Sequence, residues 1–150
     1  MTAVQIPERM NFPQVAPKVF KAMLALDAAA REGLDPVVVE LVQIRASQLN
    51  GCAYCIDYHV GDARRAGETE ERIYQLSAWR EASLYSAEER AALALTEAVT
   101  LLPQGVSDEV YADAEAQFGP EGLARLIALI FTVNAWNRMN VTTRRTPGTV

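Results

Sequence analysis

The chain holds two cysteines, Cys52 and Cys55, and a single histidine, His59, all within residues 52–59. Sulfur does redox chemistry as thiolate. A Cys-x-x-Cys pair that opens a helix meets backbone N–H groups without intrahelical partners and the positive end of the helix dipole, which both favour that form. At 100° per residue Cys52, Cys55 and His59 share an arc of about 60°. One helix face can therefore carry two sulfurs and an imidazole. His59 lies one turn beyond Cys55, where it can accept a thiol proton. The pair by itself admits three other readings: small core residues, half of a zinc site, or an inert local disulfide. A structural zinc needs four ligands, and two cysteines with one histidine leave one place empty, which Glu40 or water could fill. The coincidence of a helix start with the lone histidine favours a reactive pair.

The elements that must position these residues are legible from breaks and caps. Pro17 opens an alanine-rich helix over 18–31 that stops at Gly33. Asp35-Pro36 supplies a cap and a first-turn proline for a mostly apolar helix over 37–49, which Asn50-Gly51 ends. The Cys helix follows to Gly67, with Cys52, Cys55, Ile56, His59 and Ala63 on one side and Asp57, Gly61, Arg64 and Arg65 on the other. Thr69 caps a shorter helix from Glu70 to about Trp79. Ser86 and Glu89 form a capping box ahead of a helix over 90–102. Ser107 opens another, ending at Phe118-Gly119, and Pro120 opens the last, which runs to about Asn140 with Leu123, Leu126, Ile127, Ile130 and Phe131 as core. A frayed tail is expected over 142–150. No strand alternation or hairpin turn is visible. The reading is all-α, a single domain over 1–150 with residues 1–16 as an N-terminal arm.

Composition narrows the function classes. A formal charge of −5 opposes binding to nucleic acid or to an anionic membrane surface. The longest apolar stretch, 123–136, is interrupted by Arg125 and Asn134 and falls short of the ~20 residues a membrane span requires. Residues 1–7 lack a basic leader and an apolar segment, so no secretory signal is expected. Two closely spaced cysteines do not form the spread framework of a secreted scaffold, which points to a reducing compartment, the cytoplasm.

Glu40, twelve residues before Cys52, sits in Val39-Glu40-Leu41-Val42-Gln43-Ile44-Arg45-Ala46-Ser47, and the motif itself in Gly51-Cys52-Ala53-Tyr54-Cys55. Together with Asn134-Ala135-Trp136-Asn137-Arg138-Met139-Asn140, these residues resemble the AhpD-like alkylhydroperoxidases of the carboxymuconolactone decarboxylase superfamily. The resemblance covers most of the chain. It implies an AhpD-like helical domain of about six or seven helices, assembly into a homo-oligomer (dimer, trimer or hexamer), and a peroxidase cycle that uses no haem, flavin or metal cofactor. Cys55 then corresponds to the thiol that attacks a hydroperoxide, Cys52 to the resolving thiol, and Glu40 and His59 to members of a proton relay, with a dithiol or protein reductant resetting the disulfide. From spacing alone Glu40, Gln43, Ser47 and Asn50 form a polar stripe that could face water, and the resemblance turns Glu40 inward. The sequence departs from some peroxidase members at Tyr54, where they place a relay histidine. That departure keeps two alternatives in view, a disulfide reductase or adaptor and a non-enzymatic redox-sensing helical oligomer. The superfamily's decarboxylase chemistry has no need of paired cysteines.

Overall fold

The computed structural model describes residues 2–148, and every regular element among them is helical. The helices are α1 (Phe12–Val15), α2 (Pro17–Arg31), α3 (Pro36–Leu49), α4 (Ala53–Arg65), α5 (Glu70–Tyr74), α6 (Ala87–Thr100) and α7 (Asp108–Thr143), with 3-10 turns at Leu76–Ala78 and Leu102–Gln104. The all-α architecture expected from the sequence is the one observed, with seven α-helices among the described residues. No helix among the described residues is long and apolar enough to cross a membrane.

Helix α3 is the hub. Asp35 caps it through Val37 N–H at 2.7 Å, with Pro36 in the first turn. Its neighbours α4, α6 and α7 enclose it on every side. Val38, Val39 and Val42 join one core with Leu95, Leu126, Leu129 and Ile130, while Leu41 and Ile44 join a second with Leu76, Trp79, Tyr85 and Leu93. The remaining face carries Glu40, Gln43 and Ser47, at helical spacing, and all three are buried. A helix enclosed all round cannot leave a polar stripe to water. Its polar groups must therefore find partners inside the protein.

The helix ends differ from the sequence reading in four places, each with a physical cause. The helix expected from Glu70 to Trp79 stops at Tyr74 and tightens into a 3-10 turn, in which side chains three apart eclipse; Leu76 and Trp79 thereby enter the core together. Helix α6 starts on its capping box, Glu89 N–H to Ser86 and Ser86 N–H to Glu89, and ends at Thr100. The two helices expected around Gly119-Pro120 run end to end as arms of α7, broken only at Gly119 (φ 67°, ψ 173°), a conformation that suits glycine and leaves Pro120 at the start of a new turn. Finally, the tail is ordered further than expected. Helix α7 continues to Thr143 and closes with Arg144 in the left-handed region, Arg145 N–H returning to Asn140 C=O at 3.0 Å. Arg9 fastens this end, its backbone N–H reaching Thr143 C=O at 2.8 Å and its guanidinium Thr142 C=O at 3.2 Å. The expectations that fall on residue 1 and on residues 149 and 150 lie outside the described residues. One core residue was misplaced: Phe131 is 48% exposed rather than buried, since it lies on the outer side of α7, away from Ile130.

Candidate active site

The turn between α3 and α4 sets the site. Asn50 ends α3, Gly51 turns the chain at φ 65°, and Cys52 becomes the N-cap of α4. Its sulfur takes the role usually filled by a serine or aspartate oxygen, accepting the Cys55 N–H at 3.3 Å. Cys52 and Cys55 are joined as a disulfide, with Cα atoms 5.3 Å apart. Both are buried, yet only Cys55 lines the adjoining cavity.

His59 follows one turn later on the same face and is buried. Its Nδ1 lies 3.0 Å from Glu40 Oε2. A carboxylate can only accept, so Nδ1 holds the proton and Nε2 is left as the basic nitrogen. Glu40 is also held from the other side: Arg31 donates to Oε1 at 3.3 Å, to Gln43 Oε1 at 3.1 Å and to Asp27 Oδ2 at 2.7 Å. Burial works against the Arg31 charge, but Asp27 and Glu40 outweigh it and hold the guanidinium above its ordinary range. Asp27 receives in addition the Trp136 indole N–H at 3.3 Å. The chain of contacts thus runs Trp136, Asp27, Arg31, Glu40, His59.

A second polar network knits α3 to α7. Asn50 donates to Asn134 and Asn137 at 2.9 and 2.8 Å, Asn137 to Ser47 at 2.9 Å, and Ser47 to the Gln43 carbonyl at 2.7 Å. One turn on from Asn137, Asn140 directs its Nδ2 to Cys55 Sγ at 3.4 Å. Two buried atoms at this end have no hydrogen-bond partner among the described residues, Gln43 Nε2 and Asn140 Oδ1.

The cavity over Cys55 measures about 200 Å³. Cys55, His59 and Asn140 meet Phe20, Leu24, Trp136 and Met139 across it, and Tyr54 and Tyr58 line it together with the charged Asp27, Arg31 and Arg145. Phe20 packs edge-on against Trp136. Tyr54 stacks with Tyr58 at 6.2 Å and carries the Arg145 guanidinium over its ring at 4.2 Å. Burial, and then the Asp62 carboxylate, push the Tyr58 phenol up, so it stays neutral near pH 7. Glu40, His59 and Asp62 bring ligand atoms within 4.8 Å of one another, enough to hold a cation. Both carboxylates are already ion-paired, Glu40 with Arg31 and Asp62 with Arg65.

Cys52, Cys55, His59 and Glu40, picked out in the sequence, therefore lie together between α3 and α4. Asp27, Arg31, Gln43, Asn140 and Arg145 were not picked out. Asp27 and Arg31 carried a faint signal, an acid and a base four apart in an alanine-rich helix. Asn140 stood in the Asn134–Asn140 segment that carried the resemblance but was given no role, and Arg145 carried no signal.

The family model for the carboxymuconolactone decarboxylase family matches residues 17–98. The uncharacterized protein YdfG of Bacillus subtilis is 41% identical over 136 residues, 89% of this chain and 92% of that protein. The alkyl hydroperoxide reductase AhpD of Solibacter usitatus is 39% identical over a shorter region of 52 residues, 35% of this chain and 29% of its own. Among solved structures, ATU0492 of Agrobacterium tumefaciens, a protein of unknown function provisionally linked to antioxidant defence as AhpD, superposes with a TM-score of 0.90 at 34% identity, covering 93% of this chain and 97% of that one.

Proposed function

The chain belongs to the carboxymuconolactone decarboxylase family, among its AhpD-like members, and from that premise we propose that it is a thiol-dependent peroxidase cycling a Cys52–Cys55 disulfide. The observation that carries the reading is the unequal setting of the two sulfurs: Cys55 faces the cavity beside His59, while Cys52 sits behind it at the helix cap. In the reduced protein Cys55 gives its proton to His59 Nε2, and Glu40 steadies the imidazolium through Nδ1. The thiolate attacks the terminal peroxide oxygen of ROOH. The O–O bond breaks, Cys55 becomes a sulfenic acid, and the alkoxide leaves as ROH with the proton returned by His59. Cys52 thiol then attacks the sulfenic sulfur, forming the disulfide and releasing water.

A dithiol or protein reductant completes the cycle by attacking Cys55, the sulfur open to the cavity. Cys52 is the favoured leaving group, because the Cys55 N–H and the start of α4 stabilise its thiolate. The two sulfurs carry both electrons, so the cycle as written draws on no further cofactor. Assembly into a homo-oligomer is part of the same proposal, supported by the apolar side chains that α2 leaves exposed, Val19, Leu24 and Leu26.

The test is consumption of an organic hydroperoxide with excess dithiol. Turnover that disappears in Cys55→Ser is expected, and a rate equal to that of Cys55→Ser would remove the reading. Tyr54 favours a second reading, a disulfide reductase or adaptor, because a phenol does not exchange protons near neutrality as imidazole does. Rapid reduction of a model disulfide by the dithiol protein, with slow peroxide loss, would select it.

A further inference from the structure

We infer that Asn140 is a catalytic residue of the dithiol centre, its side-chain amide donating a hydrogen bond that stabilises the Cys55 thiolate. This rests on the reading of Cys55 as the reacting sulfur. The two sulfurs differ in what the backbone can offer them. Cys52, at the N-cap, receives the Cys55 N–H at 3.3 Å, the bond every N-cap acceptor is placed to take. Cys55 stands inside the first turn, and no backbone N–H donates to its sulfur among the described residues. The hydrogen bond to its sulfur comes instead from α7, Asn140 Nδ2 at 3.4 Å.

Among the described residues Asn140 gives the one hydrogen bond seen to Cys55 Sγ, and His59 acts on the same sulfur as the base that takes its proton. The titratable and charged groups lining the cavity are His59, Tyr54 and Tyr58 on α4, Asp27 and Arg31 on α2, and Arg145 beyond α7, with Glu40 on α3 held against His59. The contacts described for the charged groups run to one another, and Arg145 lies over the Tyr54 ring.

The other half of the Asn140 side chain argues for function over stability. Asn134 and Asn137, on the same helix, accept from Asn50 and donate to Thr100 and Ser47. Asn140 directs Nδ2 at the sulfur and leaves Oδ1 buried with no donor among the described residues. An orphaned buried carbonyl lowers stability. Leucine, close to the same shape, would avoid that cost, and what it would lack is the N–H aimed at sulfur. A fixed dipole directed at the atom that becomes charged is how protein sites stabilise anions without reorganising at the moment of reaction.

The test uses the full-length Cys52→Ser protein, in which Cys55 is the remaining thiol. Its alkylation by iodoacetamide is followed across pH by mass spectrometry, with Asn140, Asn140→Leu and Asn140→Asp compared. Loss of a charge-assisted bond should move the midpoint up by about one unit in Asn140→Leu and further in Asn140→Asp, where a carboxylate faces the sulfur. Asn140→Asp keeps the shape and polarity of the site, so the test survives a Leu variant that does not fold. Unmoved midpoints, including the case where only the unfolding midpoint changes, would overturn the inference. A moved midpoint with no hydroperoxide turnover in the native dithiol protein would keep Asn140 and remove the peroxidase reading.

Discussion

Replacing Glu40 with glutamine keeps the shape of the side chain and removes its charge, isolating what the carboxylate does for His59. Glu40 lies between two donors, Arg31 at 3.3 Å on one oxygen and His59 Nδ1 at 3.0 Å on the other. The pair is nearly closed to water, the His59 side chain 7% and the Glu40 side chain 9% exposed. At an effective dielectric of about 20, unit charges at that separation attract by roughly 5 kcal/mol. Arg31 already balances part of the carboxylate, and desolvation opposes the remainder, so a net of about 2 kcal/mol is the fitting figure for one charge-assisted bond. This energy is available only while His59 holds the proton taken from Cys55. It therefore belongs to the proton-transfer step, and Glu40→Gln should lower kcat/KM for hydroperoxide by about 30-fold. The assay is steady-state hydroperoxide loss at saturating dithiol, with reduced thiol content confirmed beforehand. In a His59→Gln background the same Glu40→Gln change should cost little more, because the group it serves is gone. An unchanged rate in the single variant, or an undiminished loss in the double variant, would refute the reasoning.

In the Cys52→Ser protein one equivalent of hydroperoxide should leave Cys55 as a sulfenic acid that a sulfenate-specific reagent labels, visible by mass spectrometry; label on no residue would contradict the assignment of the attacking sulfur. Gly51→Ala places a Cβ at φ 65° on the turn before Cys52 and should cost about 1 kcal/mol, read as a lower urea midpoint. Burial raises the Glu97 carboxyl, but the hydrogen bonds from Trp79 and Arg45 and the charges of Arg80 and Arg45 outweigh it, so it lies below its ordinary 4.5. Its stabilising effect is therefore complete above the unfolded value and is lost as pH falls through the lower folded one. Glu97→Gln should be less stable than the parent at pH 7, with the gap in urea midpoints closing below about pH 4.

The parts of this protein governed by local rules were legible in the sequence. Asp35-Pro36, Ser86 with Glu89, Ser107 and Gly119-Pro120 all act within one helical turn, and helices α3, α6 and both arms of α7 start close to where those residues put them. The Cys52, Cys55 and His59 face was legible for the same reason, being a matter of helical spacing. Glu40 was not legible from spacing, since the stripe it shares with Gln43 and Ser47 suits water equally well; only the enclosure of α3 by three neighbours decides its direction. Asp27, Arg31, Asn140 and Arg145 depend on how α2 and α7 are laid against α3 and α4, which no window of sequence encodes. The 3-10 turn at Leu76–Ala78 escaped for a related reason: it is the packing of Trp79, with its indole N–H on Glu97 at 2.8 Å, that tightens it.

The two tryptophans are divided between the two sides of α3. Trp136 faces the cavity with Cys55, its indole hydrogen-bonded to Asp27, whereas Trp79 lies in the other core beside Glu97. Indole emission responds to nearby sulfur and to local polarity, so the protein contains its own optical probe of the site. A Trp79→Phe variant would leave Trp136 as the sole indole fluorophore. Oxidation and reduction of the pair could then be followed in real time, without an attached dye and without consuming substrate.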